Sequence, residues 1–351
     1  MKYILNNSVM IHESPTDGIM VSVTGSPIIS INEKEEEVLR IFSEFTQPMS
    51  YEEAYSRICS NVFVSEDDYQ ECFEFMRTNN LLKVVSESKE VLTSYQLEKY
   101  NRQISSFASL PGIEMSDAKE MQKKICNSHV CIIGIGGTGS HLALALASIG
   151  VEHLTLVDFD IIELSNTARQ ILYDETDIGK LKLDVAKTKL EKYNSNLKVD
   201  TYNIEIKNTE DLSFLQNKQI DLLILCADTP RGKIQFIVDE IAVNYNIPWF
   251  CYGPYNHSQI VIGPLFIPGE GQTYSDIYPD DVISANNRKD EISEINRHFV
   301  ASICDPYNGF ASQFAAIETF KYLSGIRKPS IINRRYYIDT DTWEKEYIDY
   351  D

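Results

Sequence analysis

A run of glycines that directly follows an apolar stretch restricts the fold of this chain more than any other segment. Residues 129–133 read His-Val-Cys-Ile-Ile, and glycines come next at Gly134, Gly136, Gly137 and Gly139. Glycines let a backbone turn tightly beside a phosphate, while the N-terminus of the following helix offers free N–H groups and the positive end of a dipole. We therefore expect a strand, a phosphate-binding turn and a helix. NAD enzymes, FAD enzymes and methyltransferases share this layout, so the glycines alone leave the ligand open.

After the glycines, apolar runs alternate with helical patterns. Strands are predicted at 153–157, 199–204 and 220–226, and helices at 139–149 and 180–193. Such βαβ alternation is typical of a parallel sheet with helices on both faces. The expected fold class is therefore α/β, a Rossmann-like doubly wound and mostly parallel sheet that occupies residues 121–351. Its last part predicts strands at 248–252 and 259–267, a helix over 309–323 and a hairpin at 335–348.

The first part of the chain, residues 1–88, predicts a separate small domain. Three helical patterns, at 33–45, 51–60 and 66–78, follow short runs rich in β-forming residues. This order indicates a winged-helix-like module, with an N-terminal extension packed on the main domain as the alternative. Residues 89–120 are more polar and predict a connector with one helix around 95–105.

The charge and the cysteine content of the chain exclude several classes of partner and of covalent framework. The formal net charge is −20, with 52 acidic and 32 basic residues, so we expect neither nucleic acid nor a membrane as a partner. Any phosphate must be held by a local site. The seven cysteines form no C-x-x-C pair, which argues against a disulfide framework and favours reduced thiols in the cytoplasm. The N-terminus shows no signal-peptide pattern, and no apolar run has transmembrane length.

A second block of residues distinguishes between the classes that share the glycine turn. Residues 158–170 read Asp-Phe-Asp-Ile-Ile-Glu-Leu-Ser-Asn-Thr-Ala-Arg-Gln, and Lys182 and Asp228 follow. Their order and spacing resemble the E1-like (ThiF/MoeB) adenylating family, which has D-x-D-x-(I/V)-x-x-S-N-L-x-R-Q, a later lysine and an aspartate after the fourth strand. Thr167 stands where leucine is usual. The resemblance covers almost the whole chain and is most specific in this core.

The resemblance implies a nucleotide site with ATP and Mg²⁺ as its ligands. Attack of a carboxylate on the α-phosphate of ATP builds negative charge on that phosphate and on the departing pyrophosphate, so cations and a metal must converge there. By resemblance, Asp158 holds the ribose and Asp228 binds Mg²⁺. Further nucleotide contacts are implied for Asp160, Asn166, Arg169, Gln170, Lys182 and the four glycines.

The family also implies a homodimer. In the family's dimer, an arginine in a Y-x-R-(Q/N) helix ahead of the glycine turn reaches the triphosphate of the partner subunit. Tyr100-Asn-Arg-Gln matches this pattern, so Arg102 is the candidate. Arg102, Arg169, Lys182 and Asp228 are thus the expected catalytic residues.

The front module favours the peptide-modifying branch of the family. A small β-then-helical unit ahead of a compact E1-like domain resembles the branch that adenylates the microcin C precursor peptide, where such a unit clamps the peptide as a peptide-recognition domain. Clamps of this kind take an extended peptide as an added strand. The implied partner is a ribosomal precursor peptide, and the product is nucleotidylated or, as in a pantocin-type cyclase, crosslinked.

Two candidate groups remain open. Tyr255, Asn256 and His257 follow the fifth predicted strand, where they could contact the peptide or be ordinary loop residues. Cys304 lies near the region from which carrier-protein E1 enzymes present a thioester cysteine, although a buried or incidental thiol is the alternative.

The sequence departs from the family at its zinc site. Members usually carry one C-x-x-C after a P-G dipeptide, whereas residues 273–276 here read Thr-Tyr-Ser-Asp. We therefore expect no zinc, and aromatic packing through Trp343, Tyr336 and Tyr337 in its place.

Three other functions remain as alternatives. An activator of a ubiquitin-like sulfur carrier would need the same nucleotide site but a folded protein partner. A non-catalytic peptide-binding scaffold would not need the charged residues of this site. An NAD-dependent oxidoreductase would rest on the glycine turn alone.

Overall fold

The structure of the protein is a computed structural model, and the chain divides into two compact units, Met1–Lys123 and Lys124–Asp351. The structure describes residues 1–6, 9–14, 18–23, 28–31, 35–60, 63–85, 91–255, 258–279 and 303–350. The finer division at residues 88 and 120 stays a prediction.

The first unit contains two small antiparallel sheets and a set of helices. One sheet has the order β5-β1-β6 and the other β2-β3-β4. The elements are β1 (Lys2–Leu5), β2 (Val9–Ser14), β3 (Gly18–Val23), β4 (Ile29–Ile31), α1 (Glu35–Glu44), β5 (Met49–Ser50), α2 (Tyr51–Cys59), α3 (Glu66–Thr78), β6 (Leu82–Val85), α4 (Ser94–Lys99) and α5 (Asn101–Ala108).

Helices α2 and α3 begin at Tyr51 and Glu66, the positions that the sequence predicts. The Ser50 side chain accepts a hydrogen bond from the backbone N–H of Glu53, and the Glu53 side chain accepts one from the Ser50 backbone N–H, which completes a capping box. Their apolar faces meet in an aromatic core around Tyr69 and Phe73, both buried. Strand β2 is absent from the sequence-based prediction.

The second unit is built on one eight-stranded sheet with the order β14-β13-β12-β11-β10-β7-β8-β9. After α6 (Met115–Asn127), which crosses the division between the units, the elements are β7 (His129–Ile133), α7 (Gly137–Ile149), β8 (His153–Val157), α8 (Lys182–Tyr193), β9 (Lys198–Tyr202), β10 (Leu222–Leu225), α9 (Ile234–Tyr245), β11 (Trp249–Tyr255), β12 (Gln259–Ile262), α10 (Tyr274–Ile277), α11 (Asp305–Ser324), β13 (Arg334–Asp339) and β14 (Lys345–Asp349).

The sheet confirms the predicted α/β, doubly wound architecture. Strands β9, β8, β7, β10 and β11 are parallel, and β12 to β14 continue the sheet in antiparallel pairs. The chain winds from β7 to β8 and β9 in one direction and then returns to place β10 on the other side of β7. A ligand site in such a sheet is expected beyond the carboxyl ends of the strands at this switch point.

The segment that replaces the family's first zinc-ligand pair is held by a buried carboxylate. Asp239 on α9 accepts hydrogen bonds from the backbone N–H groups of Tyr274 and Ser275, at 3.1 and 3.0 Å, and from the Ser275 hydroxyl at 2.7 Å. It also accepts one from the indole N–H of Trp249 at 3.3 Å. This carboxylate ties α10 to β11 by hydrogen bonds.

The expected aromatic packing near the C-terminus is only partly present. Tyr336 is buried and lies beside Phe314, with ring centroids 6.2 Å apart. Trp343 is exposed and meets Phe310 edge-on at 5.7 Å. None of the helices in the described part of the chain combines the length and hydropathy that crossing a membrane would require.

Candidate active site

A cleft opens where β7, β8 and β10 end, at the switch point of the sheet. Its cavity volume is about 170 Å³. It is lined by Ile133, Gly134, Gly136, Val157, Asp158, Phe159, Asp160, Lys182, Ile204, Ile206, Cys226, Ala227, Asp228 and Thr229. Residues predicted for the nucleotide site from four separate stretches of sequence therefore meet here.

The glycine turn leaves no room for side chains at two of its positions. A Cβ on Gly139 would lie 1.9 Å from the carbonyl oxygen of Gly134, and a Cβ on Gly134 would lie 2.9 Å from the Cβ of Ala227. Gly134 also has a φ of +91°, a conformation that favours glycine. At Gly136 the nearest atom to an added Cβ is the Gln170 Nε2 at 3.8 Å, an ordinary van der Waals distance, so a small side chain would fit there without a clash.

Asp158 joins the glycine turn to the end of β8. Its Oδ2 accepts a hydrogen bond from the backbone N–H of Ile135 at 2.7 Å, and its Oδ1 accepts one from the N–H of Asp160 at 2.8 Å. Each carboxylate oxygen keeps a further lone pair, so a ribose hydroxyl could still donate to it. The acid thus has a structural task beyond the one the sequence suggested.

Lys182 and Asp160 form an ion pair in the cleft. The Lys182 Nζ donates to Asp160 Oδ2 at 2.6 Å. The Lys182 side chain is 5% exposed, whereas that of Asp160 is 48% exposed. The lysine is the first residue of α8, so the helix fixes its position. It brings a buried positive charge to the pocket that the glycine turn forms.

The segment 164–170 folds beside the cleft without lining it. Asn166 Oδ1 accepts a hydrogen bond from the backbone N–H of Glu163 at 3.1 Å, and Arg169 Nη1 donates to the Ser165 carbonyl at 2.7 Å. Gln170 is buried, and its Oε1 finds no hydrogen-bond partner among the described residues. The nucleotide contacts of these three predicted residues remain a prediction.

The other predicted residues lie in different surroundings. Asp228 is exposed on the cleft rim, where the Thr229 hydroxyl donates to its Oδ1 at 3.3 Å. Arg102 is exposed on α5, in the first unit. Tyr255 is exposed at the end of β11, and Cys304 is exposed directly before α11. Asn256 and His257 lie outside the described residues.

Asn308 is a neighbour of the glycine turn that sequence reasoning missed. It lies in the first turns of α11, and its Nδ2 would be 2.6 Å from a Cβ on Gly137. The predicted helix began at residue 309, one position too late to include it. No pattern in the sequence marks Asn308, because the glycine that it contacts lies 171 positions earlier in the chain.

Cys226, the cysteine of the cleft wall, is a poor nucleophile. Its thiol lies 3.7 Å from the Tyr252 hydroxyl, which donates to the Thr138 carbonyl at 3.1 Å. Burial raises the pKa of Cys226 to about 12, so the thiol stays protonated at neutral pH. The groups of this cleft that can act on a ligand are therefore its charged side chains, Lys182, Asp160 and Asp228.

Comparison with known proteins identifies the family to which this chain belongs. A model of the ThiF family matches residues 100–349, so the chain belongs to the ThiF family. Its relatives include the adenylyltransferase and sulfurtransferase UBA4 of Meyerozyma guilliermondii, which is 27% identical over 65% of this chain and 49% of its own length. The chain spans about half the length of the curated relatives it matches. Membership of this family removes the NAD-dependent oxidoreductase alternative.

Similar solved structures extend over the whole chain. Escherichia coli MccB, solved with AMPCPP and MccA, has a TM-score of 0.74 and 27% identity, covering 100% of this chain and 97% of its own. The same protein was solved with ATP, and the microcin C7 biosynthetic enzyme MccB was solved in complex with N-formylated MccA. PaaA shares the fold, with a TM-score of 0.76 at 23% identity. The predicted resemblance to the E1-like adenylating family is thereby confirmed.

Proposed function

We propose that this protein adenylates a carboxylate on a ribosomally made precursor peptide, with ATP and Mg²⁺, and that the adenylate leads to a post-translational modification of the peptide. One observation carries the adenylation: the glycine turn, the Asp160–Lys182 pair and Asp228 meet in one cleft at the switch point of the sheet. A nicotinamide site has no need for a buried cation and an exposed acid in this place.

The residues fit a nucleotide. Gly136, which lines the cleft, has no side chain to keep a phosphate from the backbone, and the N–H groups at the start of α7 have no side-chain cap. The unpartnered Gln170 Oε1 beside the turn accepts hydrogen bonds, so a hydroxyl or amino group of the nucleotide, rather than a phosphate, would be its partner. Asp158 would accept a ribose hydroxyl, as sequence reasoning proposed.

The reaction would then proceed by in-line displacement. A peptide carboxylate oxygen attacks the α-phosphorus, the bond to the bridging oxygen breaks, and pyrophosphate departs with its electron pair. Lys182 would stabilise the charge that develops on the phosphates, with Arg169 and Asn166 as further contacts. A nitrogen or carbon nucleophile of the peptide would complete the modification, so no protein nucleophile is needed.

Magnesium would be held by Asp228, whose carboxylate is exposed on the rim of the cleft. A hard cation bound by a carboxylate and phosphates neutralises the leaving pyrophosphate. Arg102 would act on the site of a second subunit, which requires a homodimer.

The choice of a peptide rests on the front of the chain. The UBA4 match covers 65% of this chain, whereas the MccB structures cover all of it, including the first unit. MccB was solved in complex with N-formylated MccA, and the branch of the family that this chain resembles uses such a front module to clamp a precursor peptide. The first unit is accordingly proposed to hold the peptide, with Tyr255, Asn256 and His257 as contact candidates.

A second candidate function is activation of a ubiquitin-like sulfur carrier. The names of the curated relatives favour it, because UBA4 is an adenylyltransferase and sulfurtransferase. Such an enzyme would show ATP–pyrophosphate exchange with a folded carrier protein and with no short peptide. A non-catalytic scaffold would show no exchange with either partner.

The experiment that tests the proposal is mass spectrometry of reactions with Mg·ATP and candidate precursor peptides encoded beside this protein. A retained nucleotide mass on the peptide indicates nucleotidylation. Release of AMP with loss of water, or of water and CO₂, indicates crosslinking or cyclisation. Asp228→Ala serves as the inactive control, and absence of ATP turnover with every peptide and carrier would contradict adenylation.

A further inference from the structure

We propose that Asn308 is a nucleotide-binding residue whose side-chain N–H donates to a phosphate oxygen at the glycine turn. This inference rests on the proposed use of ATP but assigns a residue that lies outside the signature block at 158–170. Among the described residues, three buried side-chain atoms have no hydrogen-bond partner: Gln170 Oε1, Asn308 Nδ2 and Thr319 Oγ1. Two of these three atoms flank the same turn.

A buried polar group without a partner is rare, because the group loses its hydrogen bonds to water and gains nothing in return. Asn308 is only 2% exposed. A donor that is left unpaired at such a place is explained if a ligand supplies the acceptor. Its position decides which ligand fits.

The Asn308 carboxamide packs on the first residue of α7. Its Nδ2 would lie 2.6 Å from a Cβ on Gly137, so a side chain at that position would have to displace the carboxamide. The N–H groups at this helix start also point outward and carry the positive end of the helix dipole. The Asn308 side-chain N–H places a further donor beside these backbone N–H groups. Several unpaired donors at one place are stabilised when an anion accepts their hydrogen bonds. A phosphate is therefore the ligand class that this donor fits.

The main chain around Asn308 is held by contacts between α11 and α7. The Ser312 hydroxyl lies 2.7 Å from the Asn308 carbonyl oxygen and 2.9 Å from that of Thr138 in α7. His141 on α7 is hydrogen-bonded to Asp305 at the start of α11, at 2.8 Å. These contacts keep the carboxamide beside the turn independently of its own hydrogen bonding. The fold thus presents the donor before any ligand arrives.

The test compares Asn308→Leu, which has a similar shape but no donor, with Thr319→Val, which removes the third unpartnered atom at the far end of the same helix. Both variants should unfold at a temperature about 2 °C above that of the wild type without nucleotide, because each loses an unpaired buried group. Calorimetric titration with ATP should show about a tenfold or greater loss of affinity for Asn308→Leu only. Adenosine, which lacks phosphates, should bind all three proteins equally.

Unchanged ATP affinity of Asn308→Leu would overturn the inference while leaving the proposed adenylation intact. Equal losses for ATP and adenosine would also overturn it, since they would indicate a distorted fold. If Asn308→Leu does not fold, Asn308→Ala removes the donor without adding bulk, and the same loss confined to ATP is expected. A wild-type protein that binds no ATP would instead contradict the proposed function together with this inference.

Discussion

At the residue scale, the two side chains of the Lys182–Asp160 ion pair differ in their exposure to solvent. The lysine is nearly inaccessible, while the aspartate is about half exposed. Loss of the aspartate leaves a buried positive charge without a partner, whereas loss of the lysine leaves an acid that water can solvate. Asp160 is therefore the member of the pair that stabilises the ligand-free fold, whereas Lys182 is the member that would contact ATP in the proposed site.

We expect Asp160→Asn to lower the free energy of unfolding of the ligand-free protein by about 1–3 kcal/mol, and more than Lys182→Met does. Saturating Mg·ATP should restore much of that loss, because the triphosphate provides a new counter-charge for Lys182. Lys182→Met should have the larger effect on ATP–pyrophosphate exchange. Urea unfolding with and without nucleotide measures the first two effects.

The matched control for this pair is Lys207→Met. Lys207 pairs with Glu205 at 2.8 Å, and both side chains are exposed. Exposed pairs contribute about 0–1 kcal/mol, so little change is expected. Equal destabilisation by Asp160→Asn and Lys182→Met would contradict the assigned asymmetry.

At the scale of elements, the Asp239 carboxylate on α9 links this helix to β11 and α10 by hydrogen bonds. Four donors converge on this buried carboxylate. We expect Asp239→Asn to lower the free energy of unfolding by about 1–3 kcal/mol, because an amide turns one acceptor into a donor that faces other donors. EDTA should leave the unfolding temperature of the nucleotide-free wild type unchanged.

Glu240→Gln is the neighbouring control, since Glu240 is exposed on the same helix. A clear fall in unfolding temperature with EDTA, or a wild-type-like stability of Asp239→Asn, would show that something other than this carboxylate holds α10. Urea denaturation followed by tryptophan fluorescence is suitable, because Trp249 is one of the donors.

The start of β7 makes stability depend on pH. Burial, and then the neighbouring His153, lower the pKa of His129 to about 4. An unfolded histidine titrates near pH 6.5, so between those values the unfolded chain binds more protons than the folded one. The contribution of neutral His129 is complete above about pH 6.5 and is lost as the pH falls towards 4.

Replacing this histidine should flatten that dependence. We expect His129→Gln to lose less stability than the wild type between pH 7 and pH 4.5, whatever its stability at pH 7. Unfolding midpoints in urea across this range measure the slope. Parallel curves for the two proteins would mean that other groups dominate the acid response, such as Asp200, where the effect of burial is outweighed by hydrogen bonds from Lys218 and His153 that lower its pKa.

At the scale of the whole molecule, the proposed site needs two chains. Arg102 belongs to the first unit, and the family pattern assigns it to the site of the partner subunit. Arg102→Ala and Asp228→Ala should therefore each be inactive alone but complement each other when their subunits exchange. A random mixture should regain about a quarter of wild-type activity, because half of the dimers are mixed and each has one intact site.

No recovery in a mixture of differently tagged subunits, shown by native mass spectrometry to contain mixed dimers, would place Arg102 in its own subunit's site or outside any site. A monomeric wild-type protein would contradict the homodimer itself. A mixture of Arg102→Ala with Lys207→Met should keep about half of wild-type activity whether or not the subunits exchange, and this value calibrates the quarter expected for the first mixture.

Sequence reasoning identified the sheet and the cleft because their signals are local. The glycine turn and the block at 158–170 lie within short stretches, and backbone geometry brings the ends of parallel strands together. The strand predicted at 259–267 ends instead at Ile262, because Gly263 takes a φ of +83°. Helix α11 begins at Asp305, four residues before the predicted start at 309, because a proline fits the first turn of a helix.

The sequence by itself determined the alternation of strands and helices along the second unit, the phosphate-binding turn and the family to which the chain belongs. Each of these depends on patterns among neighbouring residues. Only the tertiary structure decided that Asn308 packs on Gly137, that Asp239 holds the segment compared with the zinc site, and that Lys182 is buried against Asp160. These contacts join residues far apart in the chain. They depend on how helices pack on the sheet and on which polar atoms that packing leaves without a partner, and no local pattern specifies either.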